Sequence, residues 1–436
     1  MNFLRSRERN SCARRAARDV GAVGFLLAGK EALAHNAKLS ANPLIPRFFA
    51  MKKAFLPLIP AVFSAFVFAA CCDVDENEAG AAQTAVETVP VTAVSDVAAG
   101  VEISVEALPQ IVVDKTVPAQ GVAGAFAFVQ PDGTVCVAGG ALFPEKGPGE
   151  GGKKVYVDTI WTLAPGATAW TVSEKKLPVP AAYGVSAGKF AVGGENSTGK
   201  LAGIVDLSTA EALPTEFPAK IDNAAAAGEF VAGGNVDAFP TTRAFVFRDG
   251  AGTTIAGFHG TPRQQPVAGI LKTPRGNAFA LVGGFFYSKA TNEATIDRAG
   301  VIYFPAEKKW ESLPALPAEI SGAALIGAAA VPDGQGGMLI FGGVNAEVFK
   351  NALENPAPDY LSHEPSWYKF NPDVLRLSFG DDGHAKWEKL ATVPATARAG
   401  AAAVRLENGD IIFACGELKP GFRSPDCVRI KVDLKK

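Results

Sequence analysis

The protein has 436 residues, of which 48% are hydrophobic and 20% are charged, so the chain is long enough to bury a large core. A formal net charge of -2 creates no broad field that would attract nucleic acid or an anionic membrane, and we expect no nucleic-acid partner. With 46 glycines, 30 prolines and only 3 methionines, the composition favours short strands and turns over helices. An all-β fold is therefore expected.

A second possible start, Met51-Lys52-Lys53, precedes an apolar run over residues 54–70 and a cysteine pair, Cys71-Cys72. A short basic segment, an apolar run broken by prolines and small residues before a cysteine are typical of an export signal. The pattern over residues 51–70 resembles a bacterial lipoprotein signal, with Cys71 as the lipidated residue. An uncleaved anchor, or a secretory signal with an incidental cysteine, remains an alternative.

If Met51 is the true start, residues 1–50 are an upstream translation artefact that is disordered or absent. Residues 71–99 lack aromatic residues and a sustained period, which is typical of a tether. The folded body is then expected over residues 100–436. We expect the protein to be lipid-anchored in the bacterial cell envelope, periplasmic or surface-exposed, with the N-terminal lipid as its only contact with the membrane.

Six short apolar runs beyond residue 100 end in a similar dipeptide. Five end in Gly-Gly and the sixth ends in Cys415-Gly416; the five pairs are Gly139-Gly140, Gly193-Gly194, Gly233-Gly234, Gly283-Gly284 and Gly342-Gly343. A repeat of roughly 40–50 residues with four strands per unit is typical of a β-propeller. The sequence therefore predicts a six-bladed β-propeller.

The repeats resemble kelch motifs, in which paired glycines allow close strand packing and an aromatic residue and a tryptophan follow, as in Tyr303 and Trp310. The sixth repeat ends one strand short of four after residues 427–432. We expect residues 101–108 to supply that strand, so that N- and C-terminal strands close the last blade.

Two insertions follow Gly-Gly pairs, at residues 141–154 and 345–371, and residues 346–354 are patterned as a short helix. Both leave from the same end of a strand and therefore from one face of the propeller. Long excursions on one face usually surround a binding site, although they can also be tolerated loops.

One turn of the repeat set is charged. The segment Gly416-Glu417-Leu418-Lys419-Pro420-Gly421-Phe422-Arg423 places a carboxylate and a guanidinium in a tight turn, where other repeats carry Gly-Gly. In a propeller, such turns and the starts of the first strands meet around one mouth of the central channel. Side chains expected beside this turn are Arg398, Arg263, Gln265, Tyr183, Asn223, Glu195 and Asn345.

Several segments together resemble the N-acetylneuraminate epimerase (sialic acid mutarotase) family over about residues 100–433. Besides the charged turn they are Gly121-Val122-Ala123-Gly124-Ala125-Phe126, Val137-Ala138-Gly139-Gly140, Gly151-Gly152-Lys153-Lys154, Tyr183-Gly184-Val185, Gly342-Gly343-Val344-Asn345, Trp367-Tyr368-Lys369-Phe370-Asn371 and Arg398-Ala399-Gly400. The order of the repeats is rotated, which indicates the cyclically permuted branch. The family often has an arginine where Ala181 stands here.

The resemblance implies a mutarotase that interconverts the α and β anomers of N-acetylneuraminate. The family's proposed catalytic glutamate and arginine fall on Glu417 and Arg423, with Glu417 exchanging protons as acid and base. A guanidinium suits the sugar carboxylate, so Arg423 with Arg398 or Arg263 is expected to bind it. The remaining predicted substrate contacts are Gln265, Tyr183, Asn345 and Glu195. The expected partner is a small sugar acid, with no cofactor and no metal.

Other functions fit less well. A copper oxidase needs clustered histidines, whereas His259, His363 and His384 lie in different loops. A sialidase would carry Asp-box repeats, which are absent from the sequence. The remaining alternative is a non-enzymatic kelch lipoprotein that binds a glycan or a protein partner. The exact sugar, and whether Cys415 and Cys427 are bonded, stay open.

Overall fold

The computed structural model describes residues 91–115 and 119–435, all of which belong to one compact unit. The predicted translation artefact (1–50), the signal (51–70), the lipidation site Cys71 and the tether up to residue 90 lie outside the described residues. The last part of the predicted tether contacts the folded body, since Ser95 and Ala98 donate backbone hydrogen bonds to the carbonyls of Thr392 and Leu390.

The described residues are almost entirely β, with six four-stranded antiparallel sheets, and this is consistent with a β-propeller. In each sheet the strands pair side by side in the order in which they are named below. The first comprises Phe126–Val129, Val135–Ala138, Thr159–Leu163 and Thr171–Lys176; the second, Val185–Ala187, Phe190–Val192, Gly203–Asp206 and Glu211–Glu216; the third, Ala225–Ala227, Phe230–Ala232, Ala244–Arg248 and Ala251–Ile255.

The fourth comprises Val267–Thr273, Gly276–Val282, Gly300–Phe304 and Lys309–Leu313; the fifth, Ala329–Pro332, Met338–Phe341, Asp373–Phe379 and Ala385–Thr392; the sixth, Ala402–Arg405, Ile411–Ala414, Cys427–Leu434 and Val101–Leu108. In the sixth sheet the N-terminal strand pairs with the C-terminal one, from Val101 opposite Leu434 to Leu108 opposite Cys427.

Five smaller sheets extend from the ends of these sheets. They are Ala141–Leu142 with Val155–Tyr156, Glu195–Asn196 with Gly199–Lys200, Asn235–Val236 with both Ile221–Asp222 and Phe239–Pro240, Phe285–Ser288 with Glu293–Ile296, and Glu417–Lys419 with Phe422–Arg423. Short 3₁₀ turns lie at Pro148–Glu150, Pro365–Tyr368 and Pro394–Thr396.

The strands that end in Gly-Gly or Cys-Gly are apolar because both of their faces are covered. Val135–Ala138 and Ile411–Ala414 are buried at every position, whereas the outer strand Thr171–Lys176 is mostly exposed and polar. Strands buried on both faces are expected to be continuous apolar runs. Hydrophobic clusters fill the junctions between neighbouring sheets, as where Phe341 of the fifth sheet meets Phe413 of the sixth.

Six backbone hydrogen bonds link the starts of the six sheets in a closed cycle. In order around the cycle, the six residues are Gly400, Gly124, Tyr183, Asn223, Gln265 and Gly327. The N–H of each residue donates to the carbonyl of the residue before it over 2.7–3.2 Å, and the N–H of Gly400 donates to the carbonyl of Gly327, which closes the cycle. All six residues have a positive φ. We call this cycle the hydrogen-bond ring.

The second insertion contains the predicted helix. Ala346–Glu354 is helical, as expected, and Asn345 caps its N-terminus. Within residues 91–115 and 119–435, no helix is long and apolar enough to cross a membrane. Cys136, Cys415 and Cys427 are buried free thiols.

Gly124→Ala and Gly400→Ala compare two glycines of the ring with similar backbone conformations, φ +68° and +64°. A Cβ at position 124 would lie 2.5 Å from the Tyr183 ring, whereas at position 400 the nearest atoms are 3.5 Å away. Each substitution should cost about 1–2 kcal/mol because alanine disfavours this conformation. Gly124→Ala should cost about 1–3 kcal/mol more, since the Tyr183 ring must move. Denaturant unfolding measures both losses, and equal losses would contradict the expected overlap.

Candidate active site

The charged turn is a short antiparallel pair in which Glu417 lies opposite Arg423. Gly421, with φ +83°, forms the turn, and its N–H donates to Glu417 Oε1 over 2.7 Å. A side chain at position 421 would overlap the ring of Pro148, which belongs to the first insertion. The local sequence Pro-Gly therefore both folds the turn and allows the insertion to pack against it.

Arg423 is 1% exposed, and each of its three guanidinium nitrogens has a partner. Nη1 donates to Glu417 Oε1, Nη2 to the Tyr183 hydroxyl over 3.3 Å, and Nε to the Ala141 carbonyl over 3.3 Å. A buried ion pair is tolerated only when its remaining polar groups are also satisfied. The arrangement holds the Glu417 carboxylate in one orientation.

Electrostatics keep this guanidinium charged. Burial opposes the charged form of Arg423, but the Glu417 carboxylate and the Tyr183 hydroxyl outweigh burial and raise the pKa of Arg423.

Burial raises the pKa of Tyr368 to about 12, with the Glu417 charge acting in the same direction. The phenol therefore stays protonated at neutral pH, and it donates to the Tyr360 carbonyl.

A cavity lies against the charged turn and is bounded by the hydrogen-bond ring. One part of its wall is polar and consists of Glu417, Arg423, Tyr183, Lys154, Asn223, Gln264 and Gln265. The other part is largely apolar and includes Phe285, Val344, Phe349 and Ala328. The cavity thus presents a carboxylate and hydrogen-bonding groups to one side of a small ligand and apolar groups to the other.

The structure brings four predicted residues together at this cavity: Glu417, Arg423, Tyr183 and Gln265. Asn223, expected in the same region, also lines it. Tyr183, Asn223 and Gln265 belong to the hydrogen-bond ring and have φ values of 51–59°. Their placement follows from the ring, because each belongs to one of the segments that surround the cavity.

Arg398 and Arg263 were expected to bind substrate, but neither lines the cavity. Arg398 donates to the carbonyls of Ala395, Cys415 and Asp426 over 2.6–2.9 Å. Arg263 donates to the carbonyls of Gly283 and Ala299 and pairs with Asp297 at 2.7 Å. Both guanidiniums therefore bind protein groups between neighbouring sheets, and burial lowers the pKa of each.

Ala181, which departs from the expected family pattern, lies between two sheets. Ala181, Arg263 and Arg398 each lie two residues before a member of the hydrogen-bond ring, and their carbonyls accept from the second glycine of a Gly-Gly pair. These are equivalent positions between sheets. None of the three residues lines the cavity.

The side chains of Asn345 and Glu195, which were also expected to bind substrate, bind protein groups outside the cavity. The Asn345 side chain accepts from the N–H groups of Glu347 and Val348, both at 3.1 Å, and caps the helix. Glu195 is buried behind the cavity wall, where it accepts from the Tyr156 hydroxyl at 2.8 Å and from Lys200 Nζ at 2.5 Å. Neither residue lines the cavity.

Sequence reasoning missed Lys154, Phe143 and Gln264, which line the cavity. Lys154 Nζ lies 5.0 Å from the centre of the Tyr183 ring and 3.4 Å from Glu195 Oε1. Its position in the first insertion, directly after Gly151-Gly152-Lys153, was the available signal. The fold alone shows that this insertion returns to the cavity.

A buried polar cluster behind the wall orients the amides. Lys200 Nζ lies 2.8 Å from Asp222 Oδ2, which also accepts from the amides of Asn223 (2.6 Å) and Asn235 (3.0 Å). Asn223 Oδ1 then accepts from Gln265 Nε2 at 3.2 Å. Burial raises the pKa of Asp222. Burial alone would lower the pKa of Lys200, but the nearby carboxylates of Asp222 and Glu195 outweigh this effect and raise the pKa of Lys200.

Chemically, the site combines a buried carboxylate whose two observed hydrogen bonds both use Oε1, a charged guanidinium, an ammonium and oriented amides. Such a set can bind a polar, anionic ligand and exchange protons with it. The fold and the site together define an all-β repeat protein with a carboxylate–guanidinium pair in a central cavity.

Comparison with known proteins shows a similarity over the C-terminal part of the chain. Residues 248–436 match the family model of N-acetylneuraminate epimerase. This match covers less than half of the chain, and over that part the resemblance to the N-acetylneuraminate epimerase family expected from the sequence is confirmed. The rotated repeat order stays a prediction.

Curated relatives cover only part of each chain. The N-acetylneuraminate epimerase of Brucella melitensis is 27% identical over 214 residues, covering 42% of this chain and 53% of the relative. The N-acetylneuraminate epimerase of Yersinia enterocolitica is 29% identical over 187 residues, covering 39% of this chain and 44% of the relative. The chain thus spans about half the length of the curated relatives it matches. The solved structure of YjhT aligns with 48% of this chain and 61% of its own, at 21% identity and a TM-score of 0.39.

Arg398→Met tests the structural assignment of this arginine. The substitution removes three hydrogen bonds from a charged donor to backbone carbonyls, each worth about 1.5–3 kcal/mol, so we expect a stability loss above about 3 kcal/mol. Ligand affinity of the remaining folded protein should be unchanged. Thermal unfolding and calorimetric titration with N-acetylneuraminate measure the two effects; weakened binding without a loss of stability would instead place Arg398 at the ligand.

Proposed function

We propose that the protein is a mutarotase that interconverts the anomers of N-acetylneuraminate or a closely related carboxylated keto sugar. The observation that carries the proposal is the buried Glu417–Arg423 pair on the cavity wall. It coincides with the two residues expected from the family's charged turn. The names of the relatives support the sugar, and the chemistry of the wall supports an anionic, hydroxylated ligand.

We also infer that the six sheets are the blades of a closed, six-bladed kelch-type propeller. The first strands of neighbouring sheets contact one another in cyclic order, and the sixth sheet's first strand contacts the first sheet's. The hydrogen-bond ring follows the same order. The pairing of Val101–Leu108 with Cys427–Leu434 would then close the propeller, because strands from the N-terminal and C-terminal parts of the chain share the last blade.

In the proposed reaction, Glu417 accepts the proton of the anomeric hydroxyl while the bond between the anomeric carbon and the ring oxygen breaks. The electron pair of that bond goes to the ring oxygen, which takes the proton back from Glu417. The product is an open-chain ketone with the same atoms. Rotation about the bond to the carbonyl carbon and the reverse steps then give the other anomer.

Arg423 and Tyr183 support this exchange without giving up or taking a proton themselves. Arg423 Nη1 fixes Oε1 of Glu417, and Tyr183 holds the other end of the guanidinium. Because Gly421 N–H binds the same Oε1, Oε2 is the carboxylate oxygen assigned to the sugar. A carboxylate held in this way needs little reorganisation when the ligand arrives.

Glu417→Gln should reduce the acceleration of anomer exchange by about 10²–10⁴-fold, because the amide cannot accept the hydroxyl proton. Proton NMR on the full chain, purified in detergent, follows the exchange of freshly released N-acetylneuraminate. Glu407→Gln, on an exposed hairpin of the sixth sheet, is the matched control and should behave as the wild type.

Circular dichroism and calorimetric binding accompany this experiment, since Glu417→Gln leaves a buried guanidinium without its anionic partner. A folded Glu417→Gln protein with full acceleration would contradict the proposal. Wild-type protein that binds the sugar without accelerating exchange would favour a binding-only propeller.

We further propose that the protein is anchored in the bacterial cell envelope by a lipid on Cys71, on the periplasmic or the outer surface. The support is the sequence of residues 51–72 alone. Cys71→Ser should move the protein from the membrane fraction to the soluble fraction and abolish incorporation of a labelled fatty acid, whereas Cys72→Ser should do neither. Equal behaviour of the two variants would contradict the assignment.

A further inference from the structure

We propose that Lys154 binds the carboxylate of the sugar acid. This inference rests on the proposed function and names a residue that no sequence reasoning had assigned. It replaces the expected role of Arg398 and Arg263, whose guanidiniums bind protein groups between the sheets.

The first insertion delivers Lys154 to the cavity. Val155–Tyr156, directly after it, pairs with Ala141–Leu142 at the end of the first sheet's second strand. This pairing folds the insertion back over the charged turn. The Lys154 side chain is 12% exposed and lines the cavity, so its ammonium can reach a bound ligand.

Of the described residues that line the cavity, two are cationic, Lys154 and Arg423. Arg423 already donates from all three of its nitrogens to Glu417, Tyr183 and Ala141. Two of its five N–H groups remain, but its charge is already paired with the Glu417 carboxylate, which a ligand carboxylate at Arg423 would have to share. Lys154 can bind the carboxylate without disturbing the catalytic pair.

The position of Lys154 also fits the chemistry of the substrate. In a 2-keto sugar acid the carboxylate is bonded to the anomeric carbon, so its cation must lie beside the group that exchanges protons. Tyr183 contacts both cationic groups. Lys154 Nζ lies 5.0 Å from the centre of the Tyr183 ring, and the Tyr183 hydroxyl accepts from Arg423. The ammonium and the Glu417–Arg423 pair therefore flank one aromatic ring.

Glu195 positions this ammonium. Its Oε1 is 3.4 Å from Lys154 Nζ, while its Oε2 pairs more closely with Lys200, at 2.5 Å. An ammonium carries three donors, so Lys154 can contact Glu195 and a ligand carboxylate together. The Glu195 charge is shared with Lys200, which weakens its competition with the ligand.

The substrate carboxylate keeps its charge from the ground state to the transition state, because the reaction moves a proton between two other oxygens. An interaction that is equal in both states lowers KM and leaves kcat unchanged. Lys154→Met should therefore raise KM for N-acetylneuraminate about 10–100-fold, with kcat altered by less than about threefold. Lys154→Arg should recover part of the affinity.

The experiment measures anomer exchange by NMR over a range of concentrations for the full chain in detergent, with N-acetylneuraminate and with its methyl ester. The ester removes the charge that Lys154 is proposed to bind, so KM for the ester should be the same in wild type and Lys154→Met. Lys153→Met, at the exposed neighbouring lysine, is the control and should leave KM unchanged.

An unchanged KM in Lys154→Met, or an equal rise for acid and ester, would overturn the inference. If wild type does not accelerate exchange, the mutarotase proposal fails on its own, and calorimetric titration decides the role of Lys154. Binding of the acid that weakens in Lys154→Met but not in Lys153→Met would then support it. No measurable binding of the acid to the wild type would overturn it.

Discussion

The ring of six backbone hydrogen bonds is the constraint on which the rest of the structure depends. Each member must adopt a left-handed conformation, which glycine accepts and other residues adopt at a cost of about 1–2 kcal/mol. Three members are glycines, and the other three, Tyr183, Asn223 and Gln265, all line the cavity. The same contacts that join the sheets therefore place the polar side chains of the site, and the cost of their conformation is incurred at the site.

A second constraint acts on the residue that follows each Gly-Gly or Cys-Gly pair. This repeat position is buried in every sheet and holds Ala141, Glu195, Asn235, Phe285, Val344 and Glu417. Where the residue is apolar, it packs in the core; where it is a carboxylate, it needs buried cations. Glu417 has Arg423, and Glu195 has Lys200 with Lys154. One position of the repeat thus gives packing in some sheets and charge chemistry in others.

The repeat also explains why two arginines that looked like ligand contacts are structural. Arg263 and Arg398 occupy the position two residues before the ring, where the chain passes between sheets and backbone carbonyls of the neighbouring segments accept from the guanidinium. A guanidinium with several donors satisfies such carbonyls well. Their spacing from Gln265 and Gly400 is visible in the sequence, but the direction of their side chains is not.

The sequence by itself determined the class of fold, the six glycine-marked runs, the helix at Ala346–Glu354 and the charged pair Glu417–Arg423, because these depend on local periodicity, turn chemistry and a contiguous motif. It also identified Tyr183 and Gln265 as cavity residues. Only the tertiary structure decided that Arg263 and Arg398 face the junctions between sheets, that Asn345 caps a helix and that Lys154 reaches the cavity. These outcomes depend on contacts between residues far apart in the chain, which spacing alone does not specify.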